Sequence, residues 1–176
     1  MYKKKYGHMT PGAWLNSELE RTNPIMMVAI GMLLTVGGIL VRAFVGSPHR
    51  VLLELGIGDM LPPVWIMTAL WGIALFSIGC GAGFVLGMRR GGYDGERYKG
   101  CMFFVLLAVL ELCWYPTFFK AELYFLSVLE SILILCLSLG VSFCFSRVSK
   151  FASAIFVFHT IWLIYMLILN FSAFFL

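Results

Sequence analysis

Charge is what this sequence has least of. Only 12% of its 176 residues are charged, 13 Lys or Arg and 9 Asp or Glu, about half the ~25% of an ordinary soluble domain. With 61% hydrophobic residues, that scarcity excludes a water-soluble globular domain. Long runs nearly free of charge also exclude a transmembrane β-barrel, whose strands would read as ~10-residue alternating segments. Histidine is scarce as well. His8, His49 and His159 fall in the N-terminal tail, a connecting loop and the last apolar run, so no two are placed to hold a haem between them. No HExxH, CxxC, GxSxG or phosphate-loop pattern occurs, which removes the common signatures of hydrolases and nucleotide enzymes. The five cysteines (80, 101, 113, 136, 144) have no metal-ligand spacing and read as small buried apolar residues.

What the sequence has is apolar length. Five runs, at about 25–45, 62–88, 100–119, 123–146 and 151–175, reach the ~20 residues that a ~30 Å bilayer core requires. They predict an all-α integral membrane protein, a bundle of five transmembrane helices spanning 25–176 behind a polar segment, 1–24. That segment does not resemble a cleaved secretory signal, because Met9–Asn23 is polar where an apolar h-region belongs. Trp14, Leu15 and Leu19 have the spacing of a short interfacial helix, and a disordered tail fits equally well. With five spans, ten of the thirteen basic residues share the side of the N-terminus, among them Lys3, Lys4, Lys5, Arg89 and Arg90; Arg42, Arg50 and Lys120 lie on the other. The positive-inside rule then predicts the N-terminus inside and the C-terminus outside. A net charge of +4 distributed in this way is a topology signal and predicts no nucleic-acid partner.

Polar and aromatic residues inside the spans point to a site. The third span holds Glu111, Trp114 and Pro116 within six residues. A carboxyl group in a membrane helix costs several kcal/mol unless it is neutral, paired or beside water, and a proline there bends or ends the helix. Glu111 lies nine residues before Lys120 and Glu130 eight after Glu122. At 1.5 Å per residue both carboxyls sit roughly 12–14 Å from the hairpin turn. They would share a proton or a cation if they faced each other, or each would keep its own structural hydrogen bond. In the fifth span, Asn170 approaches the depth of the carboxyls, whereas His159 falls nearer the inner face, so depth disfavours a His–Glu pair. Trp65 and Trp71 follow the Pro62-Pro63 helix entry six residues apart, which puts their rings about 120° apart around a helix. Gly79, Gly83 and Gly87 form overlapping GxxxG patterns, with Gly81 beside them; such a stripe supports close helix packing within a subunit or between two. Arg42 can snorkel to the interface or meet an anionic ligand or a carboxylate. The loop from Gly46 to Leu61 is long enough to form a lid. Tryptophans, two carboxyls and an amide in one half of a bundle suit a flat, mostly apolar ligand, with rings for contact and a few polar groups for orientation.

These residues resemble the TspO/MBR family, the tryptophan-rich sensory and translocator proteins also described as peripheral-type benzodiazepine receptors. Pro62-Pro63-Val64-Trp65, followed by Trp71-Gly72 and Gly79, resembles the family's second helix. Trp114-Tyr115-Pro116-Thr117-Phe118-Phe119 resembles the WxPxFF motif that ends its third. Glu130 stands where an Asp is usual in the fourth, and Arg147-Val148-Ser149, Ala152, Trp162 and Leu169-Asn170 match the fifth. The pattern runs without a gap from about 103 to 172. The chain departs from it at Ile57-Gly58-Asp59-Met60, where Lys-Pro-x-Trp is usual, at Glu111 in place of Asn, at Phe158-His159 in place of Pro-Tyr, and after Leu169, where the sterol-recognition consensus is missing.

The resemblance implies a membrane binding, transport or sensory protein, in homodimeric form, for porphyrins, haem-pathway intermediates or sterol-like ligands, in a bacterial plasma membrane or a mitochondrial outer membrane. It implies Trp71 and Trp162 as ring-stacking walls, Trp65, Trp114 and Asn170 as lining or support, and Glu111 and Glu130 as the groups that set polarity. No cofactor is expected beyond a porphyrin or haem intermediate as ligand. No catalytic residue is assigned; light-dependent porphyrin breakdown is a secondary possibility by analogy with relatives. Two alternatives stand beside this reading: a carboxylate-based proton- or cation-coupled transporter built on Glu111 and Glu130, and a structural membrane subunit.

Overall fold

The computed structural model describes residues 11–46, 48–56, 62–88 and 94–175. Lys3, Lys4, Lys5, Arg89, Arg90 and the 57–60 departure lie outside them. Among the described residues seven helices follow in order: α1 (Pro11–Leu19), α2 (Pro24–Val45), α3 (His49–Glu54), α4 (Val64–Gly87), α5 (Asp94–Phe119), α6 (Tyr124–Val148) and α7 (Lys150–Phe175). Five of them, α2, α4, α5, α6 and α7, are long and apolar enough to cross a membrane. The protein is an integral membrane five-helix bundle. Its helix ends match the expected runs within a few residues, except that α5 begins at Asp94 instead of about 100. Asp94 and Glu96 in the first turn favour the helix dipole there.

Neighbouring helices close a ring in the order α2, α4, α7, α6, α5 and back to α2. α4 is the most buried span and α2 the least, and the glycine stripe explains the difference. A Cβ at Gly79 would lie 2.7 Å from the Cα of Gly31, and one at Gly83 would lie 2.5 Å from the carbonyl oxygen of Met26. One at Gly87 would meet Thr22 Oγ1 at 2.9 Å. The GxxxG stripe therefore holds α4 against α2 within the chain, and Gly81 serves α7 in the same way, with Phe156 pressed on it. α2 then presents Ile25, Leu33 and Phe44 outward, all more than 70% exposed. Exposed side chains of this kind on every span form the apolar belt that a bilayer requires. Cys113 and Cys136 belong to this outward face, unlike the buried Cys80 and Cys144.

Both ends are tied by polar contacts. At the Ser149 end, α1 is a helix, as the Trp14–Leu19 spacing allows. The buried Glu18 accepts a 2.7 Å hydrogen bond from Ser149 Oγ. The last carbonyls of α4 are satisfied by Thr22 Oγ1 on Phe84 O (2.7 Å), by Asn23 N on Gly87 O (3.1 Å), and by the Arg97 guanidinium on Leu86 O (2.5 Å) and Met88 O (3.2 Å). A cation at a helix C-terminus also complements its dipole. At the Lys120 end, Pro116 lies inside the last turn of α5. Its carbonyl accepts from Lys120 N and Ala121 N, and the left-handed Glu122 (φ 54°) turns the chain into α6.

Candidate functional site: an aromatic cavity under the α3 loop

The Lys120 half of the ring does not close tightly, and two adjoining compartments lie inside it. The outer one encloses about 320 Å³ of atom-free space, its mouth included, and runs from Pro48, just before α3, down between α4, α5 and α7 to Trp71, Trp114, Tyr115 and Trp162. The inner one, a cavity of about 10 Å³, shares Trp71, Trp114, Trp162 and Met166 with it and ends at Glu111 and Ser131.

Each ring is held from its own helix. Trp71 of α4 stacks on Tyr115 of α5, with centroids 5.0 Å apart and planes 20° from parallel. Trp114 stacks on Phe118 at 5.4 Å and donates its Nε1–H to Asn170 Oδ1 at 3.2 Å. Asn170, fully buried, donates in turn to Ser131 Oγ (3.1 Å) and Met166 O (2.6 Å). Trp162 lies against Tyr165 at 5.5 Å, and among the described residues its own Nε1 has no hydrogen-bond partner. It is a free donor on the cavity wall. The Arg42 guanidinium lies beside the Tyr115 hydroxyl.

Below the rings, three polar residues form a row. Glu111 is 4% exposed, and its Oε1 is 3.6 Å from His159 Nε2. His159 Nδ1 is 3.0 Å from Ser138 Oγ, and both His159 and Ser138 are fully buried. This reverses the depth argument, which set His159 apart from the carboxyl. Counting 1.5 Å per residue from each turn assumes straight helices along the membrane normal. Tilted helices and a Glu side chain several ångströms long close the gap.

The structure thus gathers Trp71, Trp114, Trp162 and Glu111 around one space and places Asn170 directly behind Trp114. It does not bring Trp65 or Glu130 there. Trp65 is 70% exposed on the first turn of α4, as a ring about 120° from Trp71 can be. Glu130 is half-buried beside Thr117 at the α5–α6 seam, and no hydrogen bond joins it to Glu111 among the described residues. Wall residues absent from the sequence reading include Tyr115, Met67, Thr68, Met166 and Pro48. Met166 follows Trp162 by one helical turn, a signal that was available. Pro48 belongs to the proposed lid loop, and no periodicity reveals it.

A ring of five helices with tryptophans converging from the second, third and fifth spans is the arrangement that the sequence motifs imply. The TspO/MBR family model matches residues 27–176. The chain belongs to the TspO/MBR family. No curated protein and no solved structure matches it in the comparisons made. Within this TspO/MBR chain the matched region begins in the first turn of α2, so α1 and its Glu18–Ser149 anchor lie outside the family match.

Proposed function

We propose that this TspO/MBR chain is a membrane binding protein, acting in transport or sensing, for flat, mostly apolar ligands of the porphyrin or sterol-like class. Three tryptophans from three helices around one cavity that opens beneath Pro48 are the observation that carries the reading. Indole faces supply broad apolar contact at low rotamer cost, and Trp162 Nε1 and Glu111 supply one donor and one acid for orientation. In this structure the outer compartment is closed down to about 30 Å³ of cavity, far below the ~300–1,000 Å³ typical of small-molecule sites. A macrocycle therefore enters with outward movement of the α3 loop, the lid expected in the sequence. We assign Trp71 and Trp162 as ring-stacking walls, Trp114 as a third wall held by Asn170, and Trp65 and Glu130 as rim or lipid-side residues. The N-terminus lies inside and the C-terminus outside, and the protein forms a homodimer through outward faces other than the glycine stripe, which is used within the chain.

The test is a titration of the full chain in lipid nanodiscs with protoporphyrin. Saturable tryptophan quenching at micromolar ligand, weakened in Trp71→Phe and Trp162→Phe, supports the proposal. Unchanged protoporphyrin and tryptophan fluorescence overturns it. The transporter alternative needs Glu111 and Glu130 in one path; with Glu130 at the α5–α6 seam, the geometry favours the ring-binding reading.

A further inference from the structure

We propose that the inner compartment is the binding site of a single ordered water, which accepts a hydrogen bond from Trp162 Nε1–H and bonds Glu111 Oε2, so that Glu111 is the positioning residue of the Trp162 wall.

A donor and an acid share the wall of this compartment. Trp162 and Glu111 both line it, and they are 6% and 4% exposed. Among the described residues, neither Trp162 Nε1 nor Glu111 Oε2 has a hydrogen-bond partner. A buried polar atom left unpaired has lost its hydration for nothing in return. In folded proteins such atoms are nearly always bonded to protein or to an ordered water. Size then selects the partner. The cavity is about 10 Å³, and one water needs ~10–15 Å³, so an organic group does not fit. Ser131 lines the same space, and its Oγ accepts from Asn170 Nδ2 at 3.1 Å. Its own O–H supplies a third partner, and about three bonds are usual for a buried water.

The pairing of groups also selects water over an ion. A cation here would face the Trp162 N–H, and an anion would face the Glu111 carboxyl. A water accepts from the first and donates to the second. The protonation of Glu111 does not alter this outcome. Oε2 accepts as a carboxylate or as an acid carbonyl, and as an acid hydroxyl it donates to the same water oxygen. His159 Nε2 lies 3.6 Å from the other oxygen, Oε1, which leaves Oε2 to the compartment.

Trp162 of α7 is then tied to α5 through one water, as Trp114 of α5 is tied to α7 through Asn170. A bridging water is nearly as good a link as a direct bond, so both indoles are fixed by a polar side chain of another helix. A ligand group that reaches this depth has to displace the water and repeat its bonds; that consequence alone rests on the ring-binding reading.

The experiment uses the full chain in nanodiscs without ligand, labelled with ¹⁵N at the tryptophan indoles. The Trp162 resonance is assigned by its loss in Trp162→Phe. Nuclear Overhauser transfer from water to the Trp162 indole proton is expected in the wild type. It is expected to persist in Glu111→Gln, whose amide oxygen still accepts, and to be lost in Glu111→Leu. Glu111→Met is the second apolar variant if the first does not fold. Tyr165→Phe is expected to retain the transfer, because the source is the water and not the neighbouring phenol. No transfer in the wild type overturns the proposal without any variant. Transfer that survives in a folded apolar variant, or that disappears in Tyr165→Phe, overturns it as well. Because no ligand is present, none of these results bears on whether porphyrins bind.

Discussion

Trp114 donates its indole N–H to the side-chain carbonyl of Asn170, 56 residues further along the chain, over 3.2 Å. The bond crosses from α5 to α7 inside the buried core, and Asn170 also donates to Ser131 on α6. One amide thus sets the orientation of a cavity wall from three helices. Replacing Asn170 with Leu leaves the Trp114 donor and the Ser131 hydroxyl without this partner. Interhelical hydrogen bonds in membranes contribute about 0.6 kcal/mol on average, up to ~1.7, so thermal unfolding in detergent should shift by an amount of that order. Ligand affinity should fall several-fold because the free indole can rotate. An Asn170→Leu chain that binds protoporphyrin as tightly as wild type would show that Trp114 needs no such support.

The glycine stripe makes a sharper prediction. At Gly83 an added Cβ would stand 2.5 Å from a backbone oxygen of α2, an atom that cannot move without the helix. At Gly37 the nearest neighbour would be a Leu112 methyl at 3.7 Å, ordinary contact. Gly83→Leu should therefore push α2 off α4 and cost on the order of 3 kcal/mol or more, as overpacked cores do. Gly37→Ala should change stability by less than ~1 kcal/mol, with some gain from helix propensity. Comparing the two by steric-trapping or denaturant unfolding separates packing from propensity. Equal effects would place the α2–α4 contact elsewhere.

α1 is held by Glu18 and Ser149. A hydrogen bond to a charged group contributes about 1.5–3 kcal/mol when buried, and α1 has only nine residues, too few to persist as an isolated helix in water. Ser149→Ala should therefore raise hydrogen exchange across Pro11–Leu19 while leaving α5 and α6 protected. Glu18→Gln, which still accepts a hydrogen bond, should lose less. Unchanged exchange in Ser149→Ala would assign the docking to other contacts.

The orientation of the bundle is open to direct test. A reporter at the C-terminus should be accessible from the side opposite to one at the N-terminus, because an odd number of spans separates them. The positive-inside rule puts the N-terminal reporter inside. Labelling of an introduced cysteine at Lys120 by an impermeant reagent added from outside checks the same assignment from a loop. Protection of that position, with labelling at Lys150, would invert the topology.

The match between reading and structure differs by kind of residue. Composition and run length were enough for the five spans, because a bilayer imposes one length and one secondary structure on any apolar segment that crosses it. Trp71 and Trp162 are the walls and Trp65 and Trp114 the lining that the family resemblance implies; the structure brings Trp71, Trp114 and Trp162 around one space and leaves Trp65 exposed. Glu111 and Glu130 looked alike by depth, yet one faces the cavity and the other the α5–α6 seam, for a linear count carries no helix rotation. His159 was set apart from Glu111 by the same count, and 3.6 Å separates them.

By itself, then, the sequence determined that the protein is a membrane bundle of five helices with aromatic and acidic groups in the half nearer Lys120. Hydropathy and length are local properties, readable one segment at a time. Tertiary structure alone decided that the GxxxG stripe joins α4 to α2 within one chain, that Glu111 meets His159 while Glu130 does not enter the cavity, and that Pro48 lines it. Those outcomes depend on the rotation and tilt of each helix against its neighbours, which arise from packing many side chains at once.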